Sequence, residues 1–410
     1  MNERNGHAMV VSSARAPPPA RHGDPVDEAL ARSASTFRSP RMFDANDTGA
    51  VEGEVRWQPV KSLWISGMTA AALIGGPLCF TWDAFLLFLA TTAPTLCLGH
   101  SLGTHRRLIH RAFDCPLWLE RLFVYLGTLV GMAGPYGMIR QHDIRDWAQR
   151  KPQCHAYLAH RSGIVRDAFW QLHCELVLAH PPRLIMERRV AQDRFYQLIE
   201  RTWMVQQLPW AGLFLILGGL PWLVWGIAVR VAISVTGHWL VGYFAHNRGP
   251  RSWHIEGAGV QGYNVRCCGL ITMGEAWHNN HHAFPASARL GLHPGETDPG
   301  WWVLVLLSRL GLVWNLKTPD TLPPRPNLVA LINDAVIPGC SARTVQGWAK
   351  ARAPLLFLRG QLIARAVPTR SKARSGTRGH GADAVKPCAD CVDLSALRAF
   401  AHPTDQTEPR

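Results

Sequence analysis

Hydrophobic positions gather in four long runs. "LWISGMTAAALIGGPLCFTW" (Leu63–Trp82) crosses twenty positions without a charge, and after Asp83 "AFLLFLATTAPTLCLGHSLG" (Ala84–Gly103) follows with only Cys97 and His100 as ionisable side chains. A third run, "LPWAGLFLILGGLPWLVWGIAV" (Leu208–Val229), is separated by the single residue Arg230 from a shorter fourth, "VAISVTGHWLVGYFAH" (Val231–His246). A helix needs about twenty apolar residues to cross a bilayer, and shorter spans are tolerated where the bilayer adapts. The pattern therefore predicts an all-α integral membrane protein, with four transmembrane helices in two tight hairpins that turn at Asp83 and at Arg230.

Both ends of a hairpin emerge on one side, so residues 1–62, 104–207 and everything after 247 share a face. The long middle segment carries Arg106, Arg107, Arg111, Arg140, Arg145 and Arg150, whereas the opposite turns hold only Asp83 and Arg230. By the positive-inside rule the shared face, both termini included, is expected to be cytoplasmic. The net charge of +14 then belongs to basic membrane-flanking loops rather than to a nucleic-acid surface.

Outside the runs, residues 1–60 are rich in Arg, Ala, Ser, Pro and Asp and are expected to form a disordered N-terminal tail. Residues 61–320 form the expected membrane catalytic domain, and 321–410 a C-terminal extension, largely disordered from about Pro368. The apolar stretch 115–139 carries Glu120 and Arg121 and reads as an interfacial helix or a core helix beneath a site, while 301–317 reads as an amphipathic surface helix. The ten cysteines follow no disulfide framework and read as reduced thiols. Cys388 and Cys391 form a lone CxxC with no surrounding fold signal.

Chemistry enters with the histidines. "HRRLIH" places His105 and His110 just beyond the second run, "QHDIRDWAQR" places His142 in the middle segment, and His246 ends the fourth run. "GEAWHNNHHAFP" (274–285) adds His278, His281 and His282, which a helix would align on one stripe. Imidazoles with open coordination positions suit iron and dioxygen chemistry. A carboxylate-bridged di-iron bundle needs two Glu-x-x-His units, and these boxes hold one, Glu275 to His278. The HExxH pattern of zinc hydrolases is missing as well.

On "HRRLIHRAF", "HWLVGYFAH" and "GEAWHNNHHAFP", in this order around two apolar hairpins, the chain resembles the membrane fatty-acid desaturase family, in its acyl-CoA desaturase-like branch. The resemblance covers about 61–317. It implies four membrane spans, a cytoplasmic cap that holds two iron ions through histidines, and O2-dependent insertion of a cis double bond into a long fatty acyl chain carried as acyl-CoA or a related lipid. By position, His105, His110, His142, His246, His278, His281 and His282 would be iron ligands. The chain departs from the family twice. The second box reads HxxHH in the family and "HDIRD" here, so Arg145 and Asp146 stand where two histidines are expected; Gly242 replaces an asparagine four residues before His246. Arg145 cannot ligate, because a guanidinium stays charged. Asp146, His155 and His160 are the candidates for compensating metal or supporting roles, and His100 and His238 are further extra histidines at or near membrane depth. The segment "HPGE" at 293–296 resembles a haem-binding motif but has no domain around it, so a separate ferredoxin and reductase or a similar donor is expected to supply electrons. The same fold also accommodates acyl hydroxylation, or a non-catalytic descendant that binds lipid or metal.

Overall fold

The computed structural model describes residues 41–45, 47–331 and 391–393; most of both expected tails, Cys388 included, lies outside that range. Strands β1 (Met42–Phe43) and β2 (Gly53–Trp57) precede helix α1 (Pro59–Leu78). Helix α1 starts at Gln58, whose side-chain oxygen accepts from the Val60 amide, with Pro59 in the first turn where its missing N–H costs nothing. Helix α2 (Trp82–Ile109) starts at Thr81, whose hydroxyl accepts from the Ala84 amide. Asp83 is thus not the turn itself. It lies in the first turn of α2, where a carboxylate favours the helix dipole. Short helices follow as α3 (Leu117–Thr128), α4 (Pro135–Gln149), α5 (Ala156–Ala159) and α6 (Ile164–His173). After β3 (Cys174–Leu178) and β4 (Arg183–Glu187) come α7 (Arg188–Ala191) and α8 (Arg194–Thr202). The long helix α9 runs over Gln207–Asn247, and β5 (Trp253–Ile255), α10 (His278–Ala283), α11 (Pro299–Arg309), β6 (Leu328–Ala330) and β7 (Cys391–Asp393) complete the order.

By length and composition, two helices among the described residues can cross a membrane: α2 and α9. The second hairpin does not turn at Arg230. Helix α9 breaks at Gly219, whose φ of 65° and ψ of −156° are open to glycine, within the breaker sequence "GGLP". The chain folds back there, so that Phe214 fills the space over Gly226. Arg230 sits inside the helix at 2% exposure, because its guanidinium is satisfied: Nη2 donates to Gln207 Oε1 at 2.5 Å, Nη1 to the Leu129 carbonyl and Nε to the Gly226 carbonyl at 2.7 Å. Trp222 donates to Asp83 at 2.5 Å, which puts both hairpin turns at one end of the bundle. Large apolar side chains on α1 and α9 face outward, Leu78 at 80% and Ile216 at 83% exposure.

Residues 41–45 and 47–57 belong to the expected disordered tail, yet they are built into the fold. Strand β2 pairs antiparallel with β3, from Gly53 opposite Leu178 to Trp57 opposite Cys174, and β1 pairs with β4. Arg41 is buried between Glu187 (2.8 Å) and Asp143 (3.1 Å), a paired cation that composition alone does not reveal. The stretch 115–139 divides into α3 and the start of α4. Helix α3 lies directly on α2: a side-chain carbon on Gly103 would fall 2.6 Å from the Phe123 carbonyl carbon, and one on Gly99 would fall 2.3 Å from the Gly127 amide nitrogen. Small residues four apart let two helix backbones meet in this way. The second amphipathic stretch yields α11, with Leu304 buried against Leu102 and Phe113.

Candidate metal centre

The spacing of His100, His105 and His110 is five residues, which an ordinary α-helix turns to different sides. Here the last part of α2, Thr95–Ile109, winds with i→i+5 hydrogen bonds, so positions five apart lie one above another. The His110 amide donates to the His105 carbonyl at 3.1 Å. The rings of His100 and His105 stack with planes 8° apart, and those of His105 and His110 meet edge to face with centroids 4.9 Å apart.

Seven imidazoles from four elements converge as two groups. One holds His105 from α2, His110 at the cap that ends it, His142 from α4 and His281 from α10; the other holds His246 from the end of α9 with His278 and His282 from α10. Within each group the candidate ligand atoms lie within 4.8 Å of one another. The stripe expected for 278, 281 and 282 is therefore shared: His281 turns to the first group, packing on His105 with centroids 4.5 Å apart, while His278 and His282 turn to the second. Nε2 atoms face Nε2 atoms, at 3.1 Å for His110 and His142, 3.1 Å for His246 and His278, and 2.9 Å for His278 and His282. Burial, then the neighbouring histidines and arginines, push His110, His278, His281 and His282 well below the ordinary histidine value. Imidazole nitrogens gathered in this way form a donor set that fits a divalent metal ion in each group.

Carboxylates behind the rings fix their orientation. His105 Nδ1 lies 2.6 Å from Glu275 Oε2, which leaves Nε2 for the centre. Burial alone would raise the Glu275 carboxyl, but His105 and Arg106 outweigh it and hold it far below the usual range, with Ser101 donating to its other oxygen at 2.6 Å. His142 Nδ1 faces Asp143 at 3.1 Å, and Asp143 is anchored by Arg41. Such carboxylate–imidazole pairs set the tautomer and raise ligand basicity. Glu275 was visible in the sequence as Glu-x-x-His; Asp143 and Arg41 carried no signal of their own. Glu296, of the "HPGE" segment, takes hydrogen bonds from Asn280 Nδ2 (2.8 Å) and from the Leu292 and His293 amides, which ties α10 to the loop after it.

The altered second box takes a different course. Arg145 is engaged outside both groups, with Nη1 2.8 Å from His160 Nε2 and Nη2 donating to Gln171 at 2.7 Å. His160 Nδ1 in turn lies 2.9 Å from Asp167, which also accepts from Trp239. Burial and Arg145 push His160 down to about 4, against the pull of Asp167. His160 stacks on His246 with planes 13° apart, and it occupies the space beside Gly242, where a side-chain carbon would meet its Nε2 at 3.5 Å. Asp146 belongs to neither group and pairs with Arg150 at 2.7 Å. His155 caps α5, its Nδ1 accepting from the Tyr157 amide at 3.1 Å. His100 and His238 pack edge to face on each other beside the first group.

Both groups line one cavity of about 150 Å³, bounded also by His100, His238, Gln149 and the apolar Ile109, Met138 and Val241. A second cavity of about 90 Å³ adjoins it across Gln141, Arg145, His238 and Gly242.

Comparison with known proteins bears on this arrangement. The sequence model of the fatty acid desaturase family matches residues 62–294. The chain is 30% identical over 271 residues to an acyl-CoA C20 Delta5-desaturase of Anemone leveillei, covering 64% of this chain and 83% of that one. It is 33% identical over 273 residues to an sn-1 stearoyl-lipid 9-desaturase of Anabaena variabilis, covering 65% of this chain and 96% of that one. With its match running from α1 through the third histidine box, the chain belongs to the fatty acid desaturase family.

Proposed function

We propose that the protein is an oxidoreductase that introduces a double bond into a fatty acyl chain, with two iron ions held by the two histidine groups and O2 as co-substrate. The observation that carries this reading is the convergence of seven imidazole rings on two points beside one cavity. His105, His110, His142 and His281 are the proposed ligands of one ion, and His246, His278 and His282 of the other. The legs before and after each hairpin turn, four in all, are the proposed membrane-embedded bundle. The turns lie at the end away from the histidines, and the arginine-rich segments support a cytoplasmic side for the histidine end.

Bound iron would supply the two-electron oxidation, with O2 as acceptor, that an unactivated pair of methylenes requires. The protein's own part is positioning. Glu275 and Asp143 hold His105 and His142 with Nε2 forward. Ile109, Met138 and Val241 give the cavity a wall that suits an alkyl chain and excludes water, so that one carbon pair is presented to the oxidant. The relatives act on acyl-CoA in one case and on stearoyl-lipid in the other, and both carriers stay open here. A separate ferredoxin and reductase, or a similar carrier, is the proposed electron donor. The test is iron per chain and product analysis with labelled stearoyl substrates, a ferredoxin and its reductase, for the parent chain and for His281→Ala. The expected result is two irons and an alkene, both diminished in the variant; a hydroxylated product, or an iron-loaded chain without turnover, would overturn the desaturase reading.

A further inference from the structure

The second histidine group is one donor short of the first, and the box-two positions do not make up the difference: Arg145 is engaged with His160 and Gln171, and Asp146 with Arg150. Another residue of α4 does reach the group. Gln149 is seven positions after His142, two turns along the same helical face, and is 1% exposed. Its Nε2 donates to the Leu158 carbonyl at 2.8 Å. A carbonyl can only accept, so this contact fixes which end of the amide points outward, and the end that faces the histidines is the oxygen.

Gln149 Oε1 stands 3.1 Å from His246 Nε2. His246 Nδ1 lies 2.7 Å from the Gly242 carbonyl, again a pure acceptor, so the ring proton of neutral His246 is on Nδ1 and its Nε2 carries a lone pair. The same Nε2 also faces His278 Nε2 at 3.1 Å, and His278 Nε2 faces His282 Nε2 at 2.9 Å. One amide oxygen thus joins, at His246, three ring nitrogens that lie within 4.8 Å of one another, with more electron pairs than protons among the four. Facing acceptors at about 3 Å repel in a dry site, and a cation between them removes the conflict for all four at once.

We propose that Gln149 is a metal ligand, its amide oxygen completing a three-histidine, one-oxygen set with His246, His278 and His282. The proposal rests on the metal-pair reading above. It gives the two ions unlike surroundings: four imidazoles for one, three imidazoles and a neutral oxygen for the other. The loss of the second-box histidines is then offset from within α4, by a residue one turn further along the helix.

The test is titration of metal-free, detergent-solubilised full-length protein with Co2+, followed by its absorption spectrum and by metal per chain, for the parent, Gln149→Ala and Gln149→Glu. The expected parent binds two ions. Gln149→Ala keeps one at the parent's affinity and binds the other at least about tenfold more weakly, with a changed Co2+ spectrum for that ion alone. Gln149→Glu, which retains an oxygen donor, binds both at least as tightly as the parent. A folded Gln149→Ala with two ions at parental affinity overturns the proposal. Should Gln149→Ala fail to fold, Gln149→Glu decides: two ions support the proposal, and one ion overturns it. A parent chain that takes fewer than two ions overturns the metal-pair reading, and this one with it, whereas failure of the variants alone removes only Gln149.

Discussion

Gly103→Ala is the perturbation with the most to say about how the fold serves the site. The added carbon would lie 2.6 Å from the Phe123 carbonyl carbon and 2.7 Å from its oxygen. Carbon atoms rest at about 3.5 Å or more, so α2 and α3 must separate by nearly 1 Å, and the obstructing atoms are backbone, which cannot rotate aside. Overpacking of this kind costs about 1–3 kcal/mol. His105 follows two residues later, on the same widened turn, and a metal site tolerates displacements of only about 0.5 Å. The expected result is a lowered unfolding temperature in detergent together with loss of metal from the group containing His105 and His110. The ion at His246, His278 and His282 should be retained. Gly237→Ala is the internal control, since an added carbon there meets nothing within 4 Å; as a helical Gly→Ala exchange it should be neutral or stabilising by up to about 1 kcal/mol. If Gly103→Ala matched Gly237→Ala in melting and bound two metal ions, the claim that backbone contact between α2 and α3 positions the site would be refuted.

Two more expectations follow from charges behind the site. Glu275→Gln removes the anionic partner of His105 Nδ1 and should weaken metal binding at the first group by about 10–100-fold, read by competition with a chromophoric chelator; unchanged affinity would mean the carboxylate does not tune the ring. Glu120 is buried between Arg107 (2.6 Å), Arg189 (3.0 Å) and Tyr196 (2.6 Å). Burial pushes its carboxyl up, but the two arginines outweigh burial and bring it from 4.5 down to about 2. A depressed carboxylate stabilises the fold above its unfolded value and loses that contribution as pH falls, here between about 4.5 and 2. The shift corresponds to about 3 kcal/mol. Glu120→Gln should therefore lower stability at neutral pH and flatten the acid limb of a stability–pH curve, and a limb as steep as the parent's would assign the acid sensitivity elsewhere.

Much of the site could be read along the chain because the relevant signals are local. Apolar runs declare themselves residue by residue, and "HRRLIH" and "HNNHH" carry their spacing with them. The division of labour among those histidines could not be read that way. A five-residue spacing is neutral evidence until the turn is known to be widened over Thr95–Ile109, and the α10 stripe splits between two groups because α2 approaches from one side and the end of α9 from the other.

By itself, then, the sequence determined the helical, membrane-directed class, the chemistry of the donors and the two departures at Arg145–Asp146 and Gly242. Tertiary structure alone decided where the second hairpin turns, because the cost of a charge depends on its partners: Arg230 stays within a helix since Gln207 and the distant Leu129 carbonyl satisfy it, while Gly219 bends. It decided that β1 and β2 join the fold, through pairing with strands more than a hundred residues away. It also decided that Arg145 and His160 occupy each other, beside the room Gly242 leaves, and that Gln149 faces the second group. Apart from the break at Gly219, which has a local signal in "GGLP", these outcomes turn on hydrogen-bond partners remote in sequence, and a linear pattern carries no record of them.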